Sequence, residues 1–417
     1  MMLFLLKYYL EAKLFLVLPE RQIRKIQIKR FRKIFEWARK HSEFYKTVYT
    51  EAGVMDLKIE TEEDILKVPV VDKTMMKNFD VDSLLTCKKT DKLAINRTSG
   101  SNGVPFAVYS TKREHFTGYV RSFMALKNYN PFKNFCLIGV YEDKERIENG
   151  SFLHFLQRRF GVFQRETYSV LTKTHSIIDK LLPRDIDILS STPTCLQVIA
   201  DELKKRNVKL NIPYVVASGE TLSENTRQDI EINFNAKIID VYGCMELPSM
   251  AWTKPNEKTY SYALNTLLPE YTDPVNIDGE IYGEFLFTNF INQTMPFIRY
   301  RVGDKIEITD KKFEFGQIKG RTDDILQLHN GQKIHVIQLY VFSLVKGLAQ
   351  YKFYQQKNGT IYFYAVCETN GNKEKVENEV YKTWHQNFGE HPFKVEFKSK
   401  LMVNPKSGKF KRIEVEK

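Results

Sequence analysis

The sequence predicts an α/β protein with a large first domain, part of it β-barrel-like, followed by a small α+β domain. Three observations carry this. After about residue 53, short apolar runs alternate with stretches of helical period, which is the pattern of layered α/β folds with parallel strand pairing. From Gly279 to about Thr309 the spacing changes to that of antiparallel strands. From about Asp324 a β-rich segment, a polar helix and a further strand follow one another as a set of their own.

Taken in chain order, Met1–Pro19 is apolar but interrupted by Lys7, Glu11 and Lys13, with no uncharged run of 18 residues. This pattern predicts an amphipathic helix rather than a signal or membrane span. Residues 20–53 contain no Pro or Gly before Gly53 and repeat Ile23, Ile26, Phe31, Ile34, Phe35 and Trp37 at largely helical spacing, so one long helix is expected there. Phe135–Val140, Ile186–Ser190, Tyr214–Ala217 and Lys237–Val241 read as buried strands, with helices at Thr194–Arg206 and Ser223–Phe234 between them. Glu284–Asn289 and Lys305–Thr309 are strands of the antiparallel part. Thr360–Cys367, Lys373–Phe388 and Phe393–Phe397 give strand, helix and strand in the last domain. The expected domains are 1–321 and 322–417, with the boundary at Arg321–Asp324.

Composition bounds the function. A 417-residue chain that is 42% hydrophobic, with 29 Phe and 22 Tyr, is too apolar to be disordered and long enough for two or three domains. Five cysteines, none in a CxxC pair, argue against a zinc ribbon or redox dithiol and fit reduced cytoplasmic thiols. The net charge is +12, and residues 1–50 hold 12 Lys/Arg against 4 Asp/Glu. The basic run Arg21, Arg24, Lys25, Lys29, Arg30, Arg32 and Lys33 suits a solvated helix face, an anionic membrane surface or an acidic protein partner alike. No nucleic-acid-binding module accompanies it, so nucleic acid is not an expected ligand.

The segments that carry chemistry begin with Arg97-Thr98-Ser99-Gly100-Ser101-Asn102-Gly103-Val104-Pro105. Glycines allow close backbone approach, and hydroxyls and amides supply donors to phosphoryl oxygens. No Gly-Lys-Ser/Thr closes the loop, so it is not a Walker loop, and a surface turn of Ser and Gly is the competing reading. Two strands then run into small-residue turns, Tyr214-Val-Val-Ala-Ser218-Gly219-Glu220 and Asp240-Val241-Tyr242-Gly243-Cys-Met245-Glu246. In an open α/β sheet such turns face the ligand crevice at the carboxyl ends of the strands. Tyr242 can stack on a base there, and Glu246 can hold magnesium between phosphate oxygens. Arg299-Tyr-Arg-Val-Gly-Asp304, Gly320-Arg321-Thr-Asp-Asp324 and Asn404-Pro-Lys-Ser-Gly-Lys409-Phe-Lys-Arg412 follow. An Asp can accept from two ribose hydroxyls, and Arg321 and Lys409 can neutralise charge on a phosphorus under attack.

In this order and spacing the six segments resemble the adenylate-forming superfamily of acyl-CoA synthetases, peptide-synthetase adenylation domains and luciferases, over nearly the whole chain. The helix at Arg32–Gly53 and Glu62-Glu-Asp-Ile-Leu-Lys-Val-Pro-Val-Val-Asp-Lys73 are similar to the phenylacetate–CoA ligase family. Gly320–Lys333 looks closer to its capsular-polysaccharide-associated branch. The resemblance implies an adenylate-forming domain with a mobile C-terminal lid, and ATP, Mg2+ and coenzyme A as cofactors. Thr98, Ser99, Gly100, Ser101, Asn102 and Gly103 would wrap the triphosphate; Ser218, Gly219, Glu220, Asp240, Val241, Tyr242 and Gly243 would line the adenine site. Glu246 would bind magnesium, Asp304 and Arg321 the ribose, and Lys409 the carboxylate and α-phosphate. Asp323 would be the hinge of a domain rotation.

Two positions depart from the family pattern. Met245 stands where a Thr hydroxyl usually meets the α-phosphate, and losing that donor costs about 1–3 kcal/mol at a buried phosphate. Asn102 replaces a Thr or Ser of the loop. The implied reaction is ATP-dependent activation of a small-molecule carboxylate to an acyl-adenylate, then transfer to coenzyme A, an amino sugar or a carrier. The alternative is a weak or inactive scaffold homologue docking through the basic N-terminal helix to a membrane or a polysaccharide-assembly partner.

Overall fold

The structure is a computed structural model that describes residues 10–88, 92–97, 106–115, 117, 136–140, 164–169, 172–277, 280–311, 313–321, 325–331, 333–335, 339, 341, 342, 345–368, 371–401 and 412–416. Two compact units are present, one of residues 1–302 and 307–317, the other of 303–306 and 318–417.

The larger unit opens with α1 (Glu20–His41) and α2 (Glu43–Glu51). The single helix expected over 20–53 is broken at Ser42, whose backbone is extended (φ −112°, ψ 122°) and whose hydroxyl donates to Ser83 O at 3.0 Å. A hydroxyl that bonds elsewhere in the fold favours a helix end over a helix interior. The break turns Phe44, Tyr45 and Tyr49 into the core with Phe31 and Phe35. Tyr45 clamps the next layer, donating to Pro296 O at 3.1 Å and accepting from Ile298 N at 3.0 Å. The basic run of α1 is divided in use. Arg24 pairs with Glu62 at 3.5 Å and lies over the Phe313 ring, and Arg30 bonds Asn265 O and Glu11. Arg21, Lys25, Lys29, Arg32 and Lys33 remain exposed.

Short elements follow: α3 (Glu62–Lys67), β1 (Val71–Asp72), α4 (Lys73–Lys77), α5 (Val81–Leu84), and the antiparallel pair β2 (Ala94–Arg97) and β3 (Ala107–Ser110). Next come β4 (Cys136–Val140), β5 (Gln164–Tyr168), α6 (Thr174–Leu181), β6 (Ile188–Ser191), α7 (Pro193–Lys205), β7 (Tyr214–Ser218), α8 (Glu224–Phe234) and β8 (Lys237–Tyr242). Strands β5-β4-β6-β7-β8 are parallel neighbours in that order. Ile138, Leu189, Val215 and Ile238 pack against Ile178, Leu196, Leu203, Ile230 and Phe234 of the helices. Two of the connecting helices have a local start signal: Thr192 caps α7 ahead of Pro193, and Ser223 accepts from Thr226 N at 3.2 Å to start α8.

The antiparallel part does not form a closed barrel among the described residues. Strands β9 (Ala251–Thr253), β10 (Tyr260–Tyr262), β11 (Leu267–Ile277), β12 (Glu280–Asn289), β13 (Tyr300–Ile308) and β14 (Glu314–Arg321) extend the parallel sheet in the order β8-β9-β10-β14-β13-β12-β11. Pairing of Val241 with Trp252 makes the join, so one backbone ladder continues through both parts.

In the smaller unit a hairpin of β15 (Ile325–Gln327) and β16 (Lys333–His335) precedes β17 (Leu348–Gln355), β18 (Ile361–Cys367), α9 (Lys373–Phe388), β19 (Phe393–Phe397) and β20 (Ile413–Val415). Sheet order is β19-β18-β17-β20. Trp384 of α9 is fully buried and stacks on Phe393 at 4.1 Å, beside Phe342, Phe353 and Phe363. Among the described residues no helix is long and apolar enough to cross a membrane.

Candidate active site

Parallel pairing brings two of the sequence segments, together with the end of β6, to one end of the sheet. Ser191 pairs with Ala217, Ala217 with Asp240, and Ser218 with Val241, so β6, β7 and β8 finish level and their following turns are neighbours. Glu220 ties two of these turns together by accepting from Thr194 N at 3.0 Å, within the first turn of α7. A carboxylate there meets both the amide and the positive end of the helix. Gly219 has φ +85°, a conformation glycine adopts without strain.

After Tyr242 the chain folds back sharply. Met250 N donates to Tyr242 O at 2.8 Å, and a Cβ on Gly243 would lie 2.5 Å from Ser249 N. Only glycine permits this backbone approach, and the return swings Glu246 inward. Glu246 is 7% exposed. Its Oε1 accepts from the Tyr300 hydroxyl at 2.9 Å and lies 3.8 Å from Lys73 Nζ. Tyr300 and Lys73 are additions to the site residues read from the sequence. Tyr300 follows Arg299 and Lys73 ends the Glu62–Lys73 motif, but nothing in either segment couples it to Glu246.

Asp240 and Tyr242 also make contacts within the protein. Asp240 is buried, accepts from the Tyr260 hydroxyl, and has its own amide bonded to Thr253 Oγ1 at 3.0 Å. Burial raises its pKa to about 6, against the lowering effects of Tyr260 and Arg227. The Tyr242 ring is edge-on to Phe285 and Phe315, at 5.8 and 5.7 Å. Aromatic rings so placed hold a core by edge-to-face contact. Met245 is half-buried in the turn before Glu246.

Arg299 works in the frame rather than the crevice. With φ +48° it directs a buried guanidinium to Glu270 Oε1 at 2.9 Å, Leu66 O at 2.8 Å and Val68 O at 2.5 Å. This holds the chain that leads into β1, which pairs with β13 through Val71 and Tyr300. The flanks of the Ser/Gly loop are anchored as well. Asn292 Nδ2 donates to Tyr109 O at 3.3 Å, and Glu114 accepts from Gln293 N at 2.8 Å and Thr294 N at 3.0 Å. The strands on either side of the loop sequence, β2 and β3, pair antiparallel from Arg97 with Ala107 to Ala94 with Ser110.

Thr98, Ser99, Gly100, Ser101, Asn102 and Gly103 lie outside the described residues, as do Asp323 and Lys409. Asp304 stands half-buried in β13, next to Gly303 at φ +86°. Arg321 ends β14. Arg412 donates to the Tyr351 hydroxyl of β17 at 2.6 Å and lies over its ring.

Among the described residues no group of three or more His, Cys, Asp or Glu is placed to hold a metal. One buried carboxylate fits a cation of another kind, magnesium, which is held by one or two carboxylates together with substrate phosphates. Glu246 has that chemistry.

No protein-family model matches the chain. It is 24% identical over 366 residues to a phenylacetate–coenzyme A ligase of Thermus thermophilus, covering 82% of this chain and 80% of that one. It is also 24% identical over 406 residues to protein CapK of Staphylococcus aureus, covering 91% and 86%. This chain is related to the phenylacetate–coenzyme A ligases and to CapK. The fold agrees with that kinship. A 2-hydroxyisobutyryl-CoA ligase crystallised with an acyl-AMP in its postadenylation state superposes with a TM-score of 0.75, at 16% identity, over 96% of this chain and 90% of that one. The α/β fold is thus shared with that ligase.

Proposed function

We propose that the protein is an adenylate-forming ligase: a carboxylate attacks the α-phosphorus of ATP, pyrophosphate leaves, and the acyl-adenylate then passes its acyl group to an acceptor. The observation that carries this is the buried Glu246, held by Tyr300 and Lys73 at the level ends of β6, β7 and β8. Thr98 to Gly103 cradle the triphosphate, the Ser218–Glu220 turn and the backbone of Tyr242 and Gly243 receive the adenine, and Asp304 and Arg321 hold the ribose. Magnesium, when bound at Glu246, neutralises phosphate charge. Lys409 steadies the carboxylate and α-phosphate, with rotation about Asp323 separating the two half-reactions.

Coenzyme A is the acceptor favoured by the relatives named as coenzyme A ligases. The Gly320–Lys333 segment and the match to CapK over 91% of this chain support a place in surface-polysaccharide assembly, where an amino sugar or a carrier would take the acyl group. The reaction belongs in the cytoplasm, where ATP and coenzyme A are supplied. The test is carboxylate-dependent ATP–pyrophosphate exchange across aryl, fatty, amino and hydroxy acids. Exchange with one acid class that vanishes in Lys409→Ala is the expected result; no exchange with any acid, despite ATP binding, overturns the reading in favour of a scaffold.

A further inference from the structure

Lys73 is an odd residue for its place. Asp72 accepts from Met75 N at 2.8 Å and starts α4, so Lys73 is the first residue of that helix, where the positive end of the backbone dipole disfavours a cation. Helix stability does not account for it. The pairing of Val71 with Tyr300 and of Asp72 with Arg301 fixes its position beside β13. From there its ammonium reaches 3.8 Å from Glu246 Oε1 and 5.4 Å from the ring of Phe106, the residue that follows the Arg97–Pro105 loop. It thus stands between the Phe106 ring and the buried carboxylate. Its side chain is 28% exposed, against 6% for Glu246, so it lies on the open side of the pair.

We infer that Lys73 is a binding residue for the outer phosphates of the nucleoside triphosphate, and that its contact with Glu246 is the ligand-free arrangement of that charge. This rests on the proposed adenylation. A divalent cation on Glu246 would stand close to the ammonium and repel it. The phosphate oxygens that arrive with the cation give Lys73 a new anionic partner, and a flexible lysine can swing from one to the other. As the carboxylate oxygen bonds to the α-phosphorus, the bond from that phosphorus to the oxygen bridging to the β-phosphate breaks, and its electron pair leaves on pyrophosphate. A lysine bound to the outer phosphates stabilises that charge.

Equilibrium binding separates this role from a structural one. Calorimetry with ATP, inorganic pyrophosphate and AMP, each with Mg2+, on wild type, Lys73→Met and Lys73→Arg makes the comparison, because AMP lacks the outer phosphates. Lys73→Met should weaken ATP and pyrophosphate about 10- to 100-fold, the loss of a charge-assisted bond, and leave AMP within about 2-fold. Lys73→Arg should recover most of the loss. Equal weakening of ATP and AMP, or unchanged ATP binding, overturns the assignment. Lys73→Gln, which also removes the charge, carries the comparison if Lys73→Met does not fold. A wild-type protein that binds neither ATP nor AMP instead overturns the adenylation reading itself.

Discussion

The Tyr300 hydroxyl donates to Glu246 Oε1 at 2.9 Å, joining β13 of the antiparallel part to the turn after β8 of the parallel part. Both residues are buried. A hydrogen bond to a carboxylate in such surroundings is worth about 1.5–3 kcal/mol. Tyr300→Phe should lower the unfolding free energy by about that much in urea titration, and should reduce ATP–pyrophosphate exchange because Glu246 loses its fixed orientation. Glu246→Gln, which keeps the shape and removes the charge, should reduce exchange far more than stability.

Gly243 carries a backbone requirement. A methyl group there would meet Ser249 N at 2.5 Å and Leu247 O at 3.2 Å, atoms of the main chain that cannot rotate away. Gly243→Ala should destabilise by about 1–3 kcal/mol, the usual cost of forced overpacking. The midpoint of denaturant unfolding should fall without a change in its slope.

Asp240 gives a pH signature. Burial lifts its pKa from 3.8 to about 6 in the folded protein. Between these values the native state binds the proton that the unfolded chain has released, so this site's contribution falls as pH rises through the window. The loss is about 3 kcal/mol when complete. Asp240→Asn has no proton to lose and can still accept from Tyr260. The stability of the variant relative to wild type should therefore rise by about that amount from pH 4 to pH 7, with contributions of other groups cancelling in the difference.

Arg299 and Glu270 are a buried pair at 2.9 Å. Burial pushes the Glu270 carboxyl up, and the guanidinium beside it opposes the shift. Arg299→Ala leaves that charge alone and frees Leu66 O and Val68 O, and should cost about 3–5 kcal/mol. The double variant Arg299→Ala/Glu270→Gln should recover part of it, measured by chemical unfolding.

The sequence was sufficient for the elements whose own period and caps define them. Lys237 to Val241 as a buried strand, Lys373–Phe388 as a helix, and the small-residue turn after Tyr242 follow from side-chain pattern and backbone freedom, which are local. That the turns after Ser218 and Tyr242 share one end of the sheet was legible too, because alternating strands and helices favour parallel pairing. The break at Ser42 was not, since its cause is Ser83 O, 41 residues away. Nor was the continuous sheet in place of a barrel-like part, which depends on Val241 finding Trp252. Tertiary structure alone decided that Asp240 faces Tyr260, that the Tyr242 ring joins Phe285 and Phe315, and that Lys73 and Tyr300 meet Glu246. Residues 73, 246 and 300 share no period. They meet because Arg299 clamps the chain at Leu66 and Val68 and β1 pairs with β13, and such long-range contacts exist only once the chain has closed on itself.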